Sequence, residues 1–156
     1  LIIVIAIMAI LVGIVGTQVL PYINKSKEAK DFQIINSYGT AATTAYSSNA
    51  EKTTAATTIV MDADPSTSNT DATGAPAKTL AAEIQSLTGY NAVGDMTAKM
   101  GSKKGKKITK VVIVINPTDT DVPAKDKTSP AAAKKTIATQ AYDANGEVFD
   151  TVITQL

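Results

Sequence analysis

The sequence begins with LIIVIAIMAILVGIVGTQVL, residues 1–20, in which the only polar side chains are Thr17 and Gln18. The first charged side chain follows only at Lys25. At ~1.5 Å rise per residue, a helix of this length spans ~30 Å, the hydrocarbon thickness of a bilayer. Backbone groups in lipid must be satisfied within the segment, so a single span has to be helical. The segment therefore predicts a membrane-spanning helix, the alternative being the buried core helix of a soluble domain.

Small residues recur within this apolar segment at helical spacing. They fall on one helix face, which a threonine extends: Ala6, Ala9, Gly13, Gly16 and Thr17. Small residues in a membrane helix allow the backbone of a neighbouring helix to approach closely. The pattern predicts a helix-packing seam, the alternative being that Gly and Ala are simply common in such helices.

Beyond Pro21 the helical pattern continues but becomes amphipathic. Apolar or small residues recur three and four positions apart: Ala29, Phe32, Ile35, Gly39, Ala42 and Tyr46. Charged residues supply the solvated side or contact lipid headgroups: Lys25, Lys27, Glu28, Lys30 and Asp31. We therefore predict one helix that runs to about Ser48. Residues 1–24 form its membrane or filament-core part, and residues 25–50 form an amphipathic part that packs on a globular head.

The run LIIVIAIMAIL, residues 1–11, followed by KSKEAKDFQIINSYGTAATTAYS, residues 25–47, closely resembles the N-terminal segment of type IV pilins and pseudopilins. The resemblance is specific over residues 1–50 and general beyond them. It implies that a prepilin peptidase cuts just before Leu1, after a basic leader, a glycine and a short motif ending in glutamate. It also implies a head made of a variable connecting loop, an antiparallel sheet and a C-terminal variable region.

The resemblance further implies assembly of many identical subunits by the pilus machinery. Gly13, Gly16 and Pro21 are weak points of the helix, because glycine costs ~1 kcal/mol relative to alanine and proline has no N–H. We expect the helix to unwind locally between Gly13 and Pro21 once neighbouring helices replace lipid, as the resemblance implies for several pilin filaments. The alternative is a simple proline kink.

Composition limits the possible chemistry. The chain of 156 residues has room for one domain plus the anchor, and it contains no cysteine, histidine or arginine. Disulfides, thiolate metal sites and histidine catalysis are therefore excluded. The lack of cysteine departs from many Gram-negative pilins and points weakly to a Gram-positive or anaerobic source. Because no catalytic or phosphate-binding motif is present either, we do not expect an enzyme.

A connecting region over residues 51–106 follows the helix. Its first part is a Thr- and Ser-rich polar loop, interrupted by Ile59–Met61 as a short strand or a plug. A short helix is predicted over residues 77–88, with Pro76 near its start and Gly89 past its end. Its apolar face is Leu80, Ile84 and Leu87. Residues 91–107 are interpreted as a Gly- and Lys-rich loop.

Residues 107–156 show strand patterns. ITKVVIVI, Ile108–Ile115, is apolar on both faces and predicts a central strand. A polar loop follows over residues 117–135, and TIATQAY, Asp143–Gly146 and EVFDTVIT then form a hairpin with an Asn-Gly turn. The predicted fold class is α+β and pilin-like. A long N-terminal helix packs on a small antiparallel sheet of three or four strands, as one layer of helix on one layer of sheet.

Three clusters of polar side chains are candidate binding sites, one basic and two rich in oxygen ligands. Residues 99–135 hold ten lysines and three aspartates, and the most basic part is Lys99, Lys103, Lys104, Lys106, Lys107 and Lys110. This part suits DNA, an acidic surface or, preferably, an acidic patch on the next subunit, although it is also typical of a solvated turn. Oxygen-rich loops make weak calcium candidates, in one stretch Asn116, Asp119 and Asp121, and in another Asp62, Asp64, Asn69 and Asp71. No other cofactor is expected.

Three functions fit the sequence. The first is a structural subunit of a type IV pilus, in the cytoplasmic membrane before assembly and in an extracellular surface filament afterwards. Such filaments serve adhesion, motility or DNA uptake. The second is a pseudopilin or minor pilin of a secretion or competence system. The third is a membrane-anchored monomer that binds a ligand through its head.

Overall fold

The computed structural model describes residues 1–62 and 75–156, and within these it gives no side-chain environment for residues 18–20 and 75–79. Across the described residues the chain forms a long apolar helix, three shorter helices and a four-stranded antiparallel sheet, an α+β arrangement. In chain order the elements are α1 Ile2–Ser48, β1 Thr57–Met61, α2 Ala75–Thr88, α3 Val93–Thr97, α4 Lys103–Lys106, β2 Lys110–Asn116, β3 Thr136–Asp143 and β4 Gly146–Gln155.

Helix α1 runs through 47 residues, about 70 Å at ~1.5 Å per residue. Residues 1–17 and 21–27 are exposed. Farther along, the residues on one face of the helix are buried against the head. They recur three and four positions apart: Asp31, Ile35, Tyr38, Ala42 and Ala45. The predicted end of the helix near Ser48 is confirmed.

The buried face of α1 differs from the predicted one at its start. Ala29, predicted to pack on the head, is exposed, and Phe32 is only half-buried. Asp31, predicted to lie on the solvated side, is 2% exposed. The pattern of apolar residues is misleading here because the first contact of the head with the helix is polar.

The sheet has the strand order β1-β2-β3-β4, with each neighbouring pair antiparallel. Strand β2 is central, as predicted, and is buried on both faces. Val111, Ile113 and Ile115 belong to the main core with α1, whereas Val112 and Val114 lie in a second cluster on the opposite face. The antiparallel sheet and its C-terminal hairpin therefore follow the sequence pattern, and Ile59–Met61 belongs to strand β1.

The segment between β2 and β3 covers the outer face of the sheet. Val122 and Ala132 form a β-bridge across it, with N–H···O distances of 2.8 and 2.9 Å. Ala132 packs with Val112, Val114 and Tyr142. The predicted single layer of helix on sheet thus has a partial third layer, and the loop has a structural role.

Helix α2 forms where it was predicted, but its packed face differs. Leu80, Ala81 and Ile84 are buried, while Leu87 is 52% exposed. The predicted loop over residues 91–107 is also wrong in part, since it contains α3 and α4. Each is a single turn that closes on local hydrogen bonds, such as that from the amide of Gly105 to Oγ of Ser102 at 2.9 Å.

Strand β4 carries an irregularity that the sequence pattern does not reveal. Its pairing with β3 shifts between Thr139 and Ala141, and Phe149 adopts a φ of 66°. The buried amide of Gln140 fills the gap by donating to the carbonyls of Val148 and Phe149 at 3.2 and 2.9 Å. This β-bulge turns the Phe149 ring towards α1, where its centroid lies 6.1 Å from that of Phe32.

We predict that deletion of residues 1–23 leaves a soluble, folded head. The described side chains of that segment are exposed, so the core formed by α1, α2 and the sheet stays intact. Circular dichroism should show mixed α and β signals with cooperative melting. Deletion of residues 1–38 removes Asp31, Ile35 and Tyr38 and should abolish the cooperative transition. An unfolded 24–156 fragment would contradict the two-part architecture.

Candidate functional site

The apolar N-terminal segment is exposed throughout its described part. Its large side chains between Leu1 and Val15 range from 50% exposed at Ile14 to 96% at Leu1. By length and composition α1 can cross a membrane, a property that signal sequences and buried core helices share. In α1 the apolar stretch is 0% buried, so the head does not cover it.

The predicted seam residues share one exposed face of this segment. A Cβ placed on Gly13 or Gly16 would meet no atom within 4 Å, so both backbones are open to an approaching neighbour. The hydroxyl of Thr17 donates to the carbonyl of Ile14 at 2.9 Å. Its polar group is therefore satisfied within the helix and can enter an apolar environment at low cost.

The predicted helix-breaking residues lie inside a continuous helix in the single subunit. Pro21 is within α1, and its missing N–H leaves the carbonyl of Thr17 without the usual intrahelical donor. The predicted unwinding between Gly13 and Pro21 concerns the assembled state and stays a prediction.

The exposed side of the second half of α1 is rich in hydroxyl groups. Each donates to the carbonyl four residues earlier, at 2.9 to 3.1 Å: Ser37, Thr40, Thr44 and Ser47. Small side chains whose hydroxyls are already bonded need no outside partner. This side of the helix is therefore suited to close contact with another helix.

Asp31 forms the main polar contact between α1 and residues 99–107, which we call the lysine-rich segment. Its Oδ1 accepts from the amide of Gly101 at 3.0 Å, and its Oδ2 accepts from the amide of Ser102 at 2.8 Å and from the Ser102 hydroxyl. Gly105 fits directly against the carboxylate and Met100, with no room for a Cβ. A buried carboxylate with several donors is satisfied, so it holds the segment firmly against the helix.

Sequence reasoning missed the role of Asp31. A signal was present, because Asp31 lies four residues before Ile35 and therefore on the same helix face. An acidic residue on an apolar face indicates a buried partner. The partner, two backbone amides 70 and 71 residues away, cannot be read from side-chain types.

Three of the calcium candidates have protein partners. The buried Asn116 amide donates to the carbonyls of Thr120, Ala132 and Ala133. Asp119 pairs with Lys135 at 3.0 Å, and Oδ1 of Asp121 accepts from the amide of Lys134 at 2.9 Å. These side chains therefore stabilise the loop between β2 and β3.

The other stretch of calcium candidates lies only partly within the described residues. Asp64, Asn69 and Asp71 lie outside the described residues, while the carbonyl of Asp62 accepts from the amide of Val93 at 2.8 Å. Across residues 1–62 and 75–156, no three His, Asp or Glu side chains group as metal ligands. Calcium binding stays a prediction.

Three ionisable groups of the head, Tyr38, Tyr142 and Asp126, have shifted pKa values. Burial raises the pKa of the Tyr142 phenol and that of the Tyr38 phenol above their ordinary values. Any stabilisation linked to these shifts is complete below pH ~10 and is lost as the pH rises through the raised values. The exposed Asp126 carboxylate has a lowered pKa because it accepts hydrogen bonds from Thr128.

No protein-family model matches this chain, and no curated protein or solved structure does so either. The resemblance to type IV pilins therefore rests on the N-terminal residues quoted above.

We predict that Asp31→Asn loosens the lysine-rich segment locally. The asparagine keeps the size but turns an NH₂ group towards backbone donors, which costs about 1–3 kcal/mol. Hydrogen exchange of the full chain in detergent micelles should accelerate at Gly101 and Ser102 by about tenfold or more. Asp126→Asn is the matched control, because Asp126 is exposed and bonds only within its own loop. Equal exchange in the wild type and Asp31→Asn would remove this role for Asp31.

Proposed function

We propose that this protein is the structural subunit of a type IV pilus and polymerises through its apolar N-terminal helix into an extracellular filament. One observation carries the proposal. A folded head is attached to an apolar segment whose described side chains, from residue 1 to 17, are all exposed. A stable protein needs an outside apolar environment for such a segment.

The two environments available to the segment correspond to two stages. Before assembly, lipid surrounds α1 and the head stands outside the membrane. After extraction from lipid, the same segment of neighbouring subunits is the apolar environment that remains. Contacts between different faces of identical subunits do not close into a ring and produce an open helical polymer.

Two surfaces of α1 support this packing. The small-residue face with Ala9 and Gly13 allows close approach in the apolar half, and the hydroxyl face with Thr40 and Thr44 allows it beside the head. The long helix packed on a four-stranded antiparallel sheet agrees with the pilin layout that the sequence resemblance implies. Prepilin peptidase and the pilus assembly machinery are the expected partners, and the cell surface is the expected location.

The proposal predicts filaments made of this chain and a specific effect of bulk on the seam. Electron microscopy of sheared surface material should show abundant filaments for the wild type. Gly13→Leu and Ala9→Leu should lower the filament yield while membrane insertion is unchanged, since leucine is favourable in lipid but blocks helix approach. Val4→Leu is the control, because Val4 lies on the opposite helix face.

The outcomes separate the alternatives. Normal filaments from both seam variants would remove the seam argument. Short fibres in low abundance would favour a pseudopilin or minor pilin. A wild-type chain that stays in the membrane without filaments would point to the anchored monomer.

A second prediction concerns the helix within the filament. We expect unwinding between Gly13 and Pro21, because neighbouring helices and the Thr17 hydroxyl can take over hydrogen bonds that lipid cannot. Extended residues rise ~3.3 Å against ~1.5 Å in a helix, so unwinding lengthens the stem and lets the heads reach their contacts. A filament structure by cryo-electron microscopy tests this. Uninterrupted helical hydrogen bonds from Val12 to Gln18 would contradict it.

A further inference from the structure

Two groups of lysines that are far apart in sequence meet around α1 just below the head. They come from the start of the polar part of α1 and from α4 with the residue after it: Lys25, Lys27, Lys30, Lys103, Lys104, Lys106 and Lys107. All seven are exposed, and we call this set the basic collar. The contact of Asp31 with Gly101 and Ser102 brings the two groups together.

The height of the collar along α1 is fixed by contacts. A small cavity of about 80 Å³ is lined by Asn24, Glu28, Ser102 and Lys103. Nζ of Lys104 lies 3.8 Å from a carboxylate oxygen of Glu28. Asn24 directly follows Ile23, the last apolar residue of the segment, so α4 lies beside the point where the apolar segment ends.

The collar carries a clear positive charge. Among the residues that form these contacts, the acidic side chains are Glu28 and Asp31. Asp31 is buried and accepts hydrogen bonds from backbone amides, and Glu28 pairs with Lys104. The remaining ammonium groups stand in solvent on long side chains that can extend along an interface.

We propose that the basic collar binds the anionic phosphate headgroups of the membrane leaflet from which α1 emerges. The proposal rests on α1 spanning the membrane, as in the proposed function. Position favours lipid over the other candidates, because collar lysines such as Lys103 lie at the end of the apolar segment, where headgroups begin. Each lysine near an anionic surface adds attraction, and seven acting together hold the head against the leaflet until extraction.

The full chain reconstituted in nanodiscs provides the test. One set contains phosphatidylcholine alone, and the other contains phosphatidylcholine with phosphatidylglycerol. Acetylation rates of individual lysines are measured by mass spectrometry. Collar lysines should react about threefold more slowly, or slower still, in the anionic discs, and salt should restore the rate. Lys52 and Lys134 are internal references. Lys52 follows the end of α1 that is remote from the apolar segment. Lys134 lies two residues before Thr136, which pairs with Asn116 at the end of β2 that is remote from α4.

Variants separate the collar from general basicity. The combined variant K103Q/K104Q/K106Q/K107Q should weaken the lipid-dependent slowing at Lys25 and Lys27. The matched variant K52Q/K134Q should leave it unchanged. Equal slowing in both variants would overturn the collar as the binding surface.

Further control experiments distinguish lipid from other anionic ligands and test separately whether α1 inserts into the membrane. Slowing by inorganic phosphate in neutral discs, equal to that in anionic discs, would overturn the lipid assignment in favour of free phosphate. If acetylation in neutral discs slows as the protein density rises, the collar binds a neighbouring subunit and the lipid assignment is wrong. If duplex DNA alone slows acetylation, the collar binds nucleic acid and the lipid assignment is again wrong. Carbonate extraction reports insertion separately. Failure to insert removes the membrane premise of both proposals, whereas insertion with equal lysine rates overturns the collar alone.

Discussion

The structure depends on an apolar segment that its own subunit leaves uncovered. Burial of apolar surface stabilises by roughly 25 cal/mol per Å². Covering the exposed side chains from Leu1 to Val15 would therefore release a large amount of free energy. The head does not supply this burial, because its contacts with the described side chains of α1 begin at Asn24, beyond these residues. An external apolar environment would cover this segment, and by length and composition the helix can cross a lipid bilayer.

This constraint divides α1 into parts with different tasks. The second half contributes Ile35, Tyr38 and Ala42 to the core, and the sheet and α2 pack around it. Strand β2 can be apolar on both faces because the segment carrying Val122 and Ala132 covers its outer side. The head therefore has a complete core that does not depend on residues 1–23.

The elements that the sequence predicts are those decided by local pattern. Three elements each carry their sequence signal within a few residues. They are the apolar run, strand β2 around Ile113, which is apolar on both faces, and the Asn-Gly hairpin. The missed features depend on distant partners. Asp31 is buried because amides of a remote segment donate to it, and Phe149 turns inward because Gln140 fills a bulge. Periodicity records none of these contacts.

A carboxylate at position 31 does what an apolar residue at that position cannot do. Apolar contacts are non-directional, so a loop held only by them can shift along the helix. Asp31 instead accepts directed hydrogen bonds from Gly101 and Ser102, which fix α4 at one height. Asp31 lies eight residues after Ile23, about 12 Å farther along the helix, and α4 reaches back from there to Asn24. One buried side chain thereby sets where the lysines of α4 stand relative to the end of the apolar segment, and so which surface they meet.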